Sequence, residues 1–176
     1  MKKAVLSFLT IIPLSIIGLA IYAMSTENIE FVVINATNEE TSYIPSSAYE
    51  YYLFNFRLTE EDIQYIENRA GLTFLFGISE QNKKYEFLKY FISKGVSINK
   101  PSAFDGLPPL HAAILLNDEG LVKFLLNNGA DINKKDTKFK LTPEEFVEFL
   151  QQKKSTPDRS VTKEIISSHK KQSHNE

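Results

Sequence analysis

Cysteine is absent from the 176 residues. Its absence removes disulfides, thiolate metal sites, cysteine nucleophiles and lipid attachment at a lipobox cysteine. It leaves the compartment open, because oxidising spaces and the cytosol both accommodate cysteine-free chains. Histidine is scarce, with only His111, His169 and His174. No second ligand stands at a metal-like spacing from His111, and the other two lie in a Lys/Ser-rich stretch suited at most to adventitious metal. His-Glu-x-x-His, Gly-x-x-x-x-Gly-Lys and Gly-x-Ser-x-Gly motifs are all missing. Glu60-Glu61 and Glu144-Glu145 open helices, where acids compensate the helix dipole. The sequence thus offers no catalytic constellation, and no cofactor, metal or small-molecule substrate is expected. An enzyme built on 25–57 is the weakest reading, since that segment has neither His nor Cys.

Positive charge is short over most of the chain. Residues 27–150 carry 19 acidic and 12 basic side chains, whereas 151–176 carry 6 basic and 3 acidic. An acidic body repels nucleic acid and favours a partner with a basic surface. The segment 151–176 reads as a polar basic tail in solvent. Lysine greatly outnumbers arginine, and isoleucine and asparagine are abundant, as in AT-rich genomes.

Charge is also absent from Ala4–Met24, which follows Lys2 and Lys3. A helix of about 20 apolar residues can cross a hydrocarbon core, while a secretory h-region is usually about 7–15 residues. Residues 1–24 are therefore a membrane anchor, the preferred reading on length, or a cleaved signal peptide ending near Gly18, Ile21 and Ala23. Lys2 and Lys3 stay inside, so everything after residue 25 is expected outside the cytoplasm. Residues 25–47 read as a linker with a short strand at Phe31-Val32-Val33-Ile34, and Asn35-Ala36-Thr37 matches a glycosylation sequon.

The informative presence is a repeat. Asp105-Gly106-Leu107-Pro108-Pro109-Leu110-His111-Ala112-Ala113 is followed by Leu121-Val122-Lys123-Phe124-Leu125-Leu126 and Gly129-Ala130-Asp131-Ile132-Asn133. One copy earlier stand Leu72-Thr73-Phe74-Leu75, Phe87–Ile92 and Gly95–Asn99. One copy later, Leu141-Thr142-Pro143 opens another. Gly95 and Gly129 are 34 residues apart, as are Asn99 and Asn133. Pro109 and Pro143 suit a first helical turn, and Gly129 suits the left-handed turn that closes a helix. Asn117 suits the left-handed turn between helices.

This pattern resembles the ankyrin repeat. The resemblance implies an all-α fold: a solenoid of two to three helix–turn–helix units over 48–150, with 48–70 as a helical N-terminal cap, preceded by an N-terminal apolar helix. Pro108 replaces the family's threonine, and Glu144 and Glu145 stand where Leu and His are usual. The resemblance makes His111 a structural brace to the adjoining turn. It also implies a protein partner met at the loop tips and the inner helices.

The candidate contact residues are Phe104 and Asp105 on one tip, Lys135 and Phe139 on the next, and Leu115 and Leu116 at the helix end. The phenyl rings of Phe104 and Phe139 are either binding hot spots or folded back onto their neighbours. Leu115 and Leu116 are either an apolar patch on the concave side or, preferably, extra core. The layout is similar to that of membrane-targeted ankyrin-type bacterial immunity proteins. The expected function is then a module held at the inner membrane with its ankyrin domain in the periplasm, or exported there. It would block a secreted toxin, such as a type VI effector, by steric occlusion. The alternative is a membrane-anchored scaffold or adaptor of an envelope complex.

Overall fold

A computed structural model describes residues 2–38, 43–153 and 157–173, with side chains described from residue 14 to residue 172 of these. Among the described residues nine α-helices run in order: α1 Lys2–Thr26, α2 Ile29–Thr37, α3 Ser46–Phe56, α4 Glu60–Glu67, α5 Gln81–Ser93, α6 Pro109–Leu116, α7 Glu119–Asn127, α8 Pro143–Gln151 and α9 Ser160–Ser173. A 3-10 helix, Gly71–Gly77, lies between α4 and α5. No strand occurs among the described residues.

Local signals set the helix ends. Thr59 with Asp62, and Thr142 with Glu145, form complete capping boxes on α4 and α8. Asp118 caps α7 through the Leu121 N–H at 2.9 Å. Gly95 and Gly129, at φ 101° and 92°, close α5 and α7. Val96 N–H donates to Phe91 O and Ala130 N–H to Leu125 O, which is the Schellman pattern. Asn117 ends α6 in the left-handed region at φ 56°.

The helices pair and stack. α6 lies on α7 and α8 on α9; α6 also packs on α8 and α7 on α9. The connecting loops are locked in register by backbone hydrogen bonds, Ala103 N–H to Arg69 O at 2.7 Å and Thr137 N–H to Gly106 O at 2.9 Å. Gly106 (φ 74°) is needed here, because a Cβ would collide with the Thr137 hydroxyl. Phe87, Phe91, Leu110, Ile114, Leu121, Leu125 and Phe146 fill the core between the layers. At the other end α2 covers α3, and Phe54 of α3 meets Phe87 and Tyr90 of α5 at centroid distances of 5.4 and 4.4 Å.

Three expectations are corrected. The strand at 31–34 is part of α2. Asn28 caps this helix through the Phe31 N–H, and Ile29, Val32, Val33 and Ala36 are buried along one face at helical spacing. The β-branched run satisfies a helical period as well as a strand's, and burial on α3 decides. Within the segment 25–47, Ile29–Thr37 is therefore helix packed on α3 rather than linker, and 39–42 lie outside the described residues. Asn35, the sequon asparagine, is buried with its amide donating to Phe31 O, so glycosylation there would require unfolding α2.

The second correction concerns the basic tail. Its part 160–173 is helix α9, with Thr162 and Ile166 buried against α7 and α8. α9 supplies the outer helix of the last repeat, which Leu141-Thr142-Pro143 opens and which was expected to end at 150. Val161, Thr162, Ile165 and Ile166 repeat the spacing of Leu121, Val122, Leu125 and Leu126. A longer connection after α8 takes them out of the 34-residue frame.

The third correction concerns Leu115 and Leu116, preferred as core. They are 45% and 60% exposed at the C-terminal end of α6, directly after the buried Ile114. For the N-terminal run, the expectation of an apolar span over 4–24 falls partly on residues 4–13, whose side chains lie outside the described residues. Among the described residues no helix is long and apolar enough to cross a membrane. Met24 at the end of α1 is buried, and Arg57 Nη1 holds Glu27 O at 2.9 Å.

Candidate protein-binding groove

The groove lies between α6 and α8 and is closed at one end by the two loops 100–107 and 134–141. The second loop is held from within. The Asp136 carboxylate accepts N–H groups of Lys138 (2.8 Å), Phe139 (2.6 Å) and Leu141 (3.0 Å). Burial alone would raise its pKa, but the donors from Phe139, Leu141 and Lys138 prevail and hold it below the usual carboxylate range. His111 Nε2–H donates to Leu141 O at 2.9 Å, and its ring tilts against Phe146 at 5.3 Å. Burial pushes the His111 pKa down, outweighing the Leu141 carbonyl and Asp136. His111 is a neutral brace between α6 and the next loop, as the repeat pattern implies.

The buried side chains Leu107, Phe146 and Leu150 form the floor of a groove of about 220 Å3. Leu115, Phe139 and Phe149 form its walls, and Asp105, Lys138 and Lys153 its rim. That volume is below the roughly 300–1,000 Å3 of small-molecule pockets and suits one inserted side chain. The Phe139 ring, 38% exposed, is folded back onto Phe149 at 5.3 Å and Phe146 at 6.0 Å. Phe104 is 68% exposed, with only the Arg69 guanidinium over its ring at 5.4 Å. The two tip aromatics therefore differ: Phe104 projects outward and Phe139 is a groove wall.

Of the residues expected from the sequence, the groove brings together Asp105, Leu115 and Phe139. Leu116 and Phe104 are exposed outside its lining, and Lys135 is exposed on the second loop. Leu107, Lys138, Phe146, Phe149, Leu150 and Lys153 complete the lining. Phe149 and Leu150 stand one repeat on from Leu115 and Leu116, so their signal was in the sequence, while only packing brings the others to the same groove.

A contributor that sequence reasoning missed is Arg159. It is almost wholly buried and grips the end of α6: Nη2 donates to Leu115 O at 3.0 Å, Nη1 to Asn117 Oδ1 at 3.1 Å and to Ile114 O. A cation against the last carbonyls of a helix is favourable, and it fixes the turn bearing Leu115 and Leu116. Burial lowers the Arg159 pKa from its ordinary value.

The acids of α8 are partly offset near this surface. Glu148 pairs with Lys163 at 2.9 Å, Glu144 pairs with Lys170, and Glu145 is held in its capping box. The loop meanwhile exposes Lys134, Lys135, Lys138 and Lys140. The net acidity of the whole chain therefore does not by itself give the charge around the groove. Among the described residues no group of three or more His, Asp or Glu is placed to hold a metal ion, and His174 lies outside them.

A family model of ankyrin repeats, in three copies, matches residues 47–136. The match takes in α3 and α4, read from the sequence as a cap, and stops before α8 and α9. No curated protein and no solved structure matches the chain.

Proposed function

The chain belongs to the ankyrin-repeat family, and from that premise we propose that it binds another polypeptide in the groove between α6 and α8. The observation that carries this is the apolar lining of that groove, in which Leu115 and Phe139 are exposed. Contiguous exposed apolar side chains rimmed by charge are characteristic of association surfaces. Aromatics held by neighbours lose little entropy on binding.

The finer reading is a module tethered by its N-terminal segment on the far side of a membrane, neutralising a secreted toxin by covering its active site. Its support is the uncharged run Ala4–Met24 after Lys2 and Lys3, with Glu27 and Glu30 beyond it. Co-expression with the product of the neighbouring gene tests it. Restored growth that is lost with Leu115→Gln plus Leu116→Gln supports it; absence of both rescue and complex overturns it.

A scaffold role is favoured by a second apolar groove, of about 520 Å3, between Ile17, Ile21 and Met24 of α1 and Tyr51 and Phe56 of α3. Two separate surfaces are what an adaptor requires. Affinity capture with the full chain separates the readings: a toxin gives one partner, an adaptor at least two that bind without competing.

A further inference from the structure

The groove has a definite chemistry. Its floor is apolar and its volume suits one side chain. Its rim carries Lys138, whose ammonium lies over Phe139 at 5.2 Å, and Lys153, over Phe149 at 4.5 Å. Lys138 forms no ion pair among the described residues, and Lys134, Lys135 and Lys140 share its loop. The acids nearby keep their charge but are turned to backbone donors: Asp136 is buried under three N–H groups, and Asp105 Oδ1 accepts the Leu107 N–H at 3.0 Å. The rim carries two lysines, Lys138 and Lys153, against one carboxylate, Asp105, although the body of the chain is acidic.

We propose that the groove takes a protein segment presenting one bulky apolar side chain with carboxylates beside it. This rests on the protein-binding reading above and adds the partner's chemistry. The apolar side chain would sit on Leu107, Phe146 and Leu150 between Leu115 and Phe149. Its flanking carboxylates would meet Lys138 at the rim. Exposed rim charges contribute more to discrimination than to affinity, because like charge is rejected more strongly than opposite charge is held in water. A segment with basic flanks is therefore refused, and this is the property to measure.

The test uses the full chain and three synthetic peptides of equal length: a leucine flanked by aspartates, the same leucine flanked by lysines, and an alanine flanked by aspartates. Binding is read by fluorescence anisotropy at low and high salt. The aspartate–leucine peptide should bind at least about ten-fold more tightly than either of the others, with the margin over the lysine peptide shrinking as salt rises. Lys138→Glu should reverse the preference between acidic and basic flanks. The proposal is overturned if the lysine-flanked peptide binds the unaltered chain as well, or if Lys138→Glu leaves the preference unchanged. Leu115→Gln separates the two layers of the argument. If a lysine-flanked peptide binds and is lost in that variant, the groove stands and its acidic partner falls. If no peptide binds and captured partners are unaffected by that variant, both fall.

Discussion

Replacing Arg159 by alanine is expected to destabilise the protein by about 3 kcal/mol, although the residue lies in the stretch that reads as a solvated tail. The side chain is buried and donates to Ile114 O, Leu115 O and Asn117 Oδ1. Hydrogen bonds to a charged group contribute roughly 1.5–3 kcal/mol each, so three would suggest a larger loss. Burial of the guanidinium opposes them, as its lowered pKa indicates. Alanine also strands the last carbonyls of α6, whose unmet hydrogen bonds cost about 1–3 kcal/mol where water does not reach them. A net loss near 3 kcal/mol balances these effects, at the upper end of ordinary substitutions. Arg159→Lys keeps the charge but has no planar fork to reach three acceptors, and should lose roughly half as much. Urea unfolding followed by far-ultraviolet circular dichroism gives the difference. An alanine variant within about 0.5 kcal/mol of the parent would refute the reasoning, because it would mean that α9 and its connection do not hold the end of α6.

Other consequences are equally measurable. Leu115→Gln with Leu116→Gln should leave stability within about 0.5 kcal/mol, since both side chains are exposed and glutamine suits a helix, yet should abolish partner capture. Phe146→Ala, under the groove and in the core, should cost about 3–5 kcal/mol in the same unfolding experiment. His111 is favoured neutral in the fold, so its stabilisation is fully present above its unfolded pKa of about 6.5 and is lost as pH falls below that towards its lower folded value; His111→Gln should flatten this part of the stability–pH curve. Asp62, buried beside Arg57 with Nε–Oδ2 at 2.9 Å, has its carboxyl held low against the opposing effect of burial. Its contribution is present above about pH 3.9 and disappears as pH falls through its folded value. Asp62→Asn should therefore remove part of the acid-induced loss, measured by unfolding between neutral and acidic pH.

The repeat was legible because its signals are local. Pro109 in a first turn, Gly95 and Gly129 in left-handed turns, and the Leu121–Leu126 stripe each act within one helix or its end. They specify paired helices in a 34-residue rhythm whatever surrounds them, and they place His111 where it can reach the next loop. The same locality makes Thr59 with Asp62 and Thr142 with Glu145 readable as helix starts.

Other features depended on contact between distant segments. Phe31–Ile34 satisfies both a strand and a helix until α3 buries one side of it. Val161–Ile166 repeats α7's stripe but falls outside the rhythm, so only its packing on α7 and α8 reveals the last helix. The charge around the groove is of the same kind, since Glu144 and Glu148 are paired with Lys170 and Lys163 from α9 while the lysines of 134–140 remain outward. A linear sequence determines which turns and helices can form, because those energies lie between residues a few positions apart. Which faces are covered, and which charges are cancelled, is decided only when segments far apart in the chain exclude water from each other.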